Sequence, residues 1–366
     1  MIIFLVLLGV LCLWGMKFTG FREDYLSKRQ TDSLKGIFAF LIYMSHVRAH
    51  IPLNGTADML YSAVFTRLGQ MTVVPFLFYS GYSIIWNIQN KPKYMEGFLQ
   101  NRIAKLLLDF NLVVIVYGVY NCCKGVVFPI ESYLLAWCGW KSLIGGGFED
   151  VWYIFDVFLL YTATFAAYWC VLRHFTKRHH ENLLPFFAIV FLFSIGLVVT
   201  LSLFGKDEYW YNTLMAYSFG MLYGIYKQNI DNILQRNWVY FVAIFGVCIG
   251  AGVILASGRK DVICYSLMSI LFVLFVTLIT MHVRIQNSVL SRIGKLSFGI
   301  YIHQRLIMFI LSHLGLNHYP VLFTFLCMGL TIIASLLHRL IADKISNILF
   351  SPKKKKYKDC AVTVIK

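Results

Sequence analysis

Ten stretches of predominantly apolar residues, at about 34–51, 70–88, 106–128, 151–172, 183–204, 209–226, 238–256, 261–283, 296–314 and 320–342, follow one another along the chain. Each is close to the roughly 20 residues that carry an α-helix across ~30 Å of hydrocarbon. The expected fold is therefore all-α, a polytopic transmembrane bundle of about ten core helices. A further hydrophobic run, residues 2–16, is short and precedes the basic stretch Arg22 to Arg29. It reads as an eleventh span or a signal-anchor, and it lacks an A-x-A-like cleavage site. Composition excludes an ordinary soluble domain, because 59% of the 366 residues are hydrophobic, 14% are charged and the mean hydropathy is +0.69.

A net charge of +16 would point to nucleic acid in a soluble chain, so the placement of the basic residues decides its meaning. Loops 17–35, 89–105, 173–181, 227–237, 284–295 and 343–366 carry 24 Lys and Arg, and the alternate loops carry seven: Arg48, Arg67, Lys124, Lys141, Lys206, Arg259 and Lys260. That is the asymmetry of cytoplasmic against external loops, so topology explains the charge and no nucleic-acid partner is expected. The expected location is a cell membrane, multi-pass, with a cytoplasmic C-terminus. The run Lys353 to Lys356 becomes a juxtamembrane patch attractive to anionic lipids. The largest external loop, about 129–150, has Gly145 to Gly147 before Glu149 and Asp150, which suits a lid or a linker. The nine cysteines form no metal-like or disulfide pattern and read as small apolar fillers. The organisation expected is a hydrophobic helix and basic linker over 1–33, a membrane domain over 34–342 and a basic cytosolic tail over 343–366.

One span holds an unusual pair. In LKGIFAFLIYMSHV, Leu34 to Val47, Lys35 precedes His46 by eleven positions. On a helix entering from the cytosol, His46 lies ~16 Å deeper than Lys35. Eleven residues are nearly three turns, so both side chains leave the same face. An ionisable group at that depth is costly unless it meets protein or water, which makes His46 a functional candidate; a structural histidine near the outer interface is the alternative.

This segment resembles the signature that opens the core of membrane acyltransferases of the acyltransferase-3 family, in which a basic residue, usually arginine, precedes an essential histidine by ten intervening positions. Further likenesses follow in order: VPFLFYSGYSI (Val74 to Ile84) to the Phe-rich Ser-Gly-Tyr segment, FLQNRIAKLL (Phe98 to Leu107) to the basic motif, VWYIFDVFLLY (Val151 to Tyr161) to the Trp-aromatic segment, and IGKLSFGIYIHQ (Ile293 to Gln304) to the closing Gly-x-x-Ser motif. Lys35 stands where arginine is usual and loses the planar fork that grips phosphate. Gln304 stands at the usual histidine position with His303 one residue early, about 100° round the helix, so His303 stays out of the catalytic set.

The resemblance implies transfer of an acyl group, usually acetyl, from cytosolic acyl-CoA to a hydroxyl of a cell-surface or lipid-linked saccharide, by the stand-alone kind without a fused hydrolase-like domain. Under that reading His46 is the general base. Lys35, Arg102 and Lys105 fall at the cytosolic edge where CoA phosphates would dock, with topology alone as the plainer account of the last two. Asp156 is placed to orient the His46 ring or to pair with a structural arginine, and Arg305 to bind substrate or neutralise Asp109. Tyr82 and Trp152 complete the substrate-binding set, and Gly81 is expected to serve packing. The partners expected are acyl-CoA (acetyl-CoA first) as donor substrate, a saccharide acceptor and membrane lipids, with a homo-oligomer allowed; no cofactor stays bound and no metal is expected. Two rivals stand beside it. A transporter or flippase for a lipid-linked saccharide would share the many spans, though not the ordered motifs. A metal protein could use His46 and His50, four apart, yet no companion ligand cluster accompanies them.

Overall fold

The computed structural model describes residues 1–137, 152–172, 183–259 and 261–350; Gly145 to Gly147, Glu149, Asp150 and Lys353 to Lys356 lie outside the described residues. Among the described residues there are fourteen α-helices: α1 (Ile2–Leu13), α2 (Lys28–Val47), α3 (Thr56–Leu68), α4 (Val74–Asn90), α5 (Lys105–Cys123), α6 (Ile130–Trp137), α7 (Trp152–Ala167), α8 (Leu184–Leu203), α9 (Met215–Leu234), α10 (Asn237–Ser257), α11 (Val262–His282), α12 (Ser288–Lys295), α13 (Ser297–His313) and α14 (Pro320–Phe350). The one sheet is a two-stranded antiparallel ribbon of β1 (Met16–Phe18) and β2 (Val283–Ile285).

Each of the ten expected spans is helical, but among the described residues only seven helical segments are long and apolar enough to cross a membrane: 69–90, 94–123, 152–171, 184–203, 237–257, 262–282 and 320–350. The three others are α2, α9 and α13. α2 holds Lys28, Arg29, Asp32 and Lys35, α9 holds Lys227 and Asp231, and α13 has 17 residues with Arg305 among them. These helices sit inside the bundle, where Gln30, Asp32, Ser33, Asp231, His303 and Gln304 are buried against protein. Polar groups are tolerated there because they meet other helices and not lipid. The outer helices differ in kind, and α10 buries only Tyr240.

Several boundaries move. α2 starts at Lys28 and ends at Val47, short of 51, ahead of Pro52, whose ring disfavours a helical residue before it. α9 starts six residues late because residues 208–210 form a separate 3₁₀ turn, and it then runs on to Leu234. α14 continues to Phe350, so residues 343–350 belong to a helix and not to a tail. α3, α6, α12 and the ribbon were not expected, since each is too short or too polar to read as a span. The N-terminal helix has 12 residues, ~18 Å of rise, less than a perpendicular crossing needs. It nevertheless joins α14 and α12: Phe4 packs on Phe325 of α14 at 4.7 Å, while the carbonyls of Leu11 and Trp14 accept from Asn287, the N-cap of α12.

Two helix crossings are made by backbone on backbone. A Cβ on Gly36 would lie 2.0 Å from the Leu290 carbonyl oxygen, and one on Gly294 would lie 1.8 Å from that of Asp32. The α4–α9 crossing repeats the device, with Gly81 at 2.0 Å from the Tyr217 carbonyl oxygen and Gly220 at 2.1 Å from that of Phe78. Small residues let helices approach this closely where lipid offers no hydrophobic drive to association.

Candidate active site

The helix that carries Lys35 and His46 is fixed at both ends. At its start, Gln30 Nε2 donates to the Val283 carbonyl at 3.4 Å while its Oε1 accepts from the Ile285 amide at 3.2 Å, and Ser33 Oγ reaches the Asn287 carbonyl at 3.5 Å. These bonds, with the Gly36 and Gly294 crossing, seat α2 on β2 and α12. At its far end, Tyr61 Oη donates to the Met44 carbonyl at 2.5 Å, Arg48 Nη1 to the Ser62 carbonyl at 3.0 Å and Tyr43 Oη to the Thr324 carbonyl at 2.6 Å. α3 and α14 thereby clamp the turn that ends in His46, where helix carbonyls would otherwise lack partners. The helix is unbroken between the two, so the ~16 Å separation and the shared face follow from its geometry.

At the lower end, Lys35 Nζ lies 3.7 Å from Oδ1 of the buried Asp32, and the charges of Lys28 and Arg102 act on it. Arg102 sits in a π-helical turn, Leu99–Ala104, just before α5. Such turns widen the helix and re-aim side chains, often at functional sites. Its Nε donates to Tyr94 Oη at 3.1 Å and its Nη2 to Ser83 Oγ at 3.4 Å, and its guanidinium lies 5.9 Å from the centre of the Tyr161 ring. Tyr161 Oη in turn bonds Ser80 Oγ at 2.7 Å. Ser80 and Ser83, Arg102 and Tyr161 come from three different sequence motifs and meet at one place. Lys105 turns elsewhere: its Nζ pairs with Asp343 of α14 at 3.4 Å, both side chains largely exposed.

At the upper end, Arg305 Nε donates to His46 Nδ1 at 3.2 Å. With Nδ1 accepting, the proton of the neutral ring belongs on Nε2. Arg305 therefore occupies the position expected for Asp156. Asp156 is fully buried, and neither of its carboxylate oxygens has a hydrogen-bond partner among the described residues, so no hydrogen bond from it orients the ring. Arg305 does not neutralise Asp109 either; Asp109 Oδ1 lies 3.7 Å from His338 Nε2, and the His338 ring packs edge-on against His303 at 5.0 Å. His50 goes its own way, with Nδ1 3.4 Å from Ser312 Oγ and its ring against Phe309.

An aromatic wall rises beside this pair. Trp152 packs on Tyr209 at 5.6 Å and on Tyr153 at 6.0 Å, and Tyr153 packs on Tyr301 at 5.6 Å. Tyr301 is one helical turn before Arg305, on the same face of α13. Tyr82, in contrast, is buried edge-on to Tyr223 at 6.5 Å within the α4–α9 contact. Sequence reasoning named Trp152 and Arg305 but missed Tyr94, Ser83, Tyr153, Tyr161 and Tyr301; four of the five sit in or beside the quoted motifs, where their aromatic or hydroxyl character was the available signal.

No curated protein and no solved structure matches the chain. Residues 29–340 match the family model of the acyltransferase-3 acyltransferase domain, which takes in α2 to α14 and both ends of the site. A half-buried histidine–arginine pair at one end of α2, and a basic cluster at the other, thus lie within a chain that belongs to the acyltransferase-3 family.

Proposed function

We propose that this multi-pass membrane acyltransferase moves an acetyl group from acyl-CoA, bound at the face of the basic loops, to a hydroxyl of a cell-surface or lipid-linked saccharide at the far end of α2. The observation that carries the reading is the Arg305–His46 pair, ~16 Å along one helix face from Lys35. Lys35 and Arg102 bind the CoA phosphates, Arg102 through its planar fork. The thioester arm then runs along α2 to His46. The arriving hydroxyl takes His46 Nδ1 from Arg305, and its oxygen attacks the thioester carbon as its proton passes to Nδ1. Arg305, released, faces the oxygen that gains negative charge. The C–S bond breaks, and the imidazolium returns the proton to the leaving thiolate. The Trp152, Tyr153 and Tyr301 rings offer apolar faces and hydroxyl tips to a sugar. Lys105 keeps a peripheral place at the CoA face, and Tyr82 supports the pocket from behind.

The test is transfer of labelled acetyl from acetyl-CoA to lipid-linked or polymeric saccharide in sealed vesicles. Transfer is expected when acetyl-CoA is added on the side of the 89–105 loop and not from the other; label entering from the opposite side would overturn the arrangement, and movement of saccharide without acetylation would favour a flippase. Arg102→Ala is expected to raise the acyl-CoA KM roughly 10- to 100-fold, the scale of a hydrogen bond to a charged group, with kcat far less affected. Arg102→Lys should recover only part of it. An unchanged KM in the alanine variant would return Arg102 to a topological role.

A further inference from the structure

A groove of about 310 Å³ opens between α9, α10 and α11, lined by Leu222, Tyr226, Ile230, Val247, Leu274 and Leu278 among others. Its polar side chains are turned away: Tyr223 Oη bonds Tyr25 Oη at 2.6 Å, and Thr277 Oγ1 donates to the Val273 carbonyl at 2.7 Å. The walls therefore offer hydrocarbon contact to whatever lies between them. Along α9 the groove runs from Phe219 to Leu234, ~22 Å, more than the ~15 Å depth of one leaflet's hydrocarbon.

The lining of the groove includes Leu234 and Met281, and Met281 stands at the end of α11, where the chain passes straight into β2. Three residues past Met281, Arg284 stands directly opposite Lys17 across the ribbon. Two like charges facing each other across strands repel, and a ribbon of three residues a side has little to offset that. Arg284 Nε is moreover buried with no hydrogen-bond partner among the described residues, as are Arg22 Nη1, between β1 and α2, and His282 Nε2, at the end of α11. Of the acids on the adjoining segments, Asp24 is engaged by Arg22 at 2.6 Å and Asp231 by Lys227 and by Tyr25, while Glu23 is exposed.

We propose that the groove and the ribbon together form a binding site for one anionic phospholipid, with its headgroup phosphate between Lys17 and Arg284 and one acyl chain between α9, α10 and α11. The phosphate resolves the like-charge pair and supplies the acceptor that Arg284 lacks; the chain fills an apolar slot already long enough for it. The lipid belongs to the leaflet that the basic loops face, a placement that rests on the orientation proposed above, but the site itself does not depend on the acyl transfer.

The test measures retained lipid, not activity. The whole protein is reconstituted in nanodiscs of equal phosphatidylglycerol and phosphatidylcholine, extracted in mild detergent, and its co-purifying lipid measured by mass spectrometry. Wild type is expected to keep about one phosphatidylglycerol and to prefer it to phosphatidylcholine by about tenfold, because both lipids carry a phosphate but only phosphatidylcholine also carries a cation that Lys17 and Arg284 repel. Lys17→Gln with Arg284→Gln should abolish the preference, and Lys17→Arg with Arg284→Lys should keep it. Val247→Trp, which fills the slot, should lower retention of both lipids. Elution as a monodisperse peak is required of every variant, and the charge-conserving pair provides the comparison if the glutamine pair elutes poorly. Equal retention of the two lipids by wild type, or an undiminished preference in the glutamine pair, would overturn the proposal.

Discussion

His46→Gln is expected to give a protein that inserts, extracts and elutes as wild type and yet transfers acyl groups about 10²–10⁴-fold more slowly, the usual contribution of a positioned general base. The glutamine amide oxygen can still accept from Arg305 Nε, so the contact that the histidine makes in the resting structure at 3.2 Å is preserved in kind. What glutamine cannot do is hold the hydroxyl proton while the thioester is attacked. The substitution therefore separates the two roles of one ring. His46→Ala should be equally inactive and also leave Arg305 without that acceptor inside the bundle, which costs stability as well. If His46 served only to satisfy Arg305, glutamine would restore activity and alanine would lose it in proportion to folded protein. Acyl transfer per detergent-stable molecule, measured for all three proteins, distinguishes these outcomes; full transfer by His46→Gln would remove the base from the mechanism.

Much of this site was legible because it lies on one helix. Periodicity alone put Lys35 and His46 on a common face, and the unbroken α2 follows from a run without internal proline. What periodicity cannot show is the partner of His46, because Arg305 lies 259 residues away and only the packing of α13 against α2 joins them. The same holds at the other end, where the Arg102 partners Tyr94, Ser83 and Tyr161 sit on three segments, and where a π-helical turn re-aims the side chain in a way that no residue type announces. Hydropathy read ten spans, yet α2, α9 and α13 owe their apolar stretches to burial in protein as much as to contact with lipid. α12 gives no span signal for a simpler reason: its eight residues are amphipathic and too few to cross, although Gly294 within it sets how closely α2 and α12 approach.

That last contact leads to the second large effect. Gly294→Ala is expected to destabilise the protein by about 1–3 kcal/mol or more, the range for forcing volume into a packed site. The added Cβ would stand 1.8 Å from the Asp32 carbonyl oxygen, and Gly36→Ala would place one 2.0 Å from that of Leu290. Backbone carbonyls cannot swing aside as a side-chain end can, so α2 and α12 must separate. Separation stretches the Ser33 contact with the Asn287 carbonyl and the Gln30 contacts with β2, which are already 3.2–3.5 Å long. It also shifts Lys35, one residue from Gly36, relative to Arg102. The expected result is a lowered thermal midpoint together with a raised acyl-CoA KM in whatever protein remains folded, and less than additive losses when both glycines are replaced, because either methyl alone opens the same crossing. Gly246→Ala is the control: it is mid-helix in α10 with nothing within 4 Å of its Cβ position, and alanine there should be neutral or slightly stabilising. An unchanged midpoint and KM in Gly294→Ala would mean that the crossing does not hold Lys35 in place, and that the basic end of the site is supported from α4 and the π-helical turn instead.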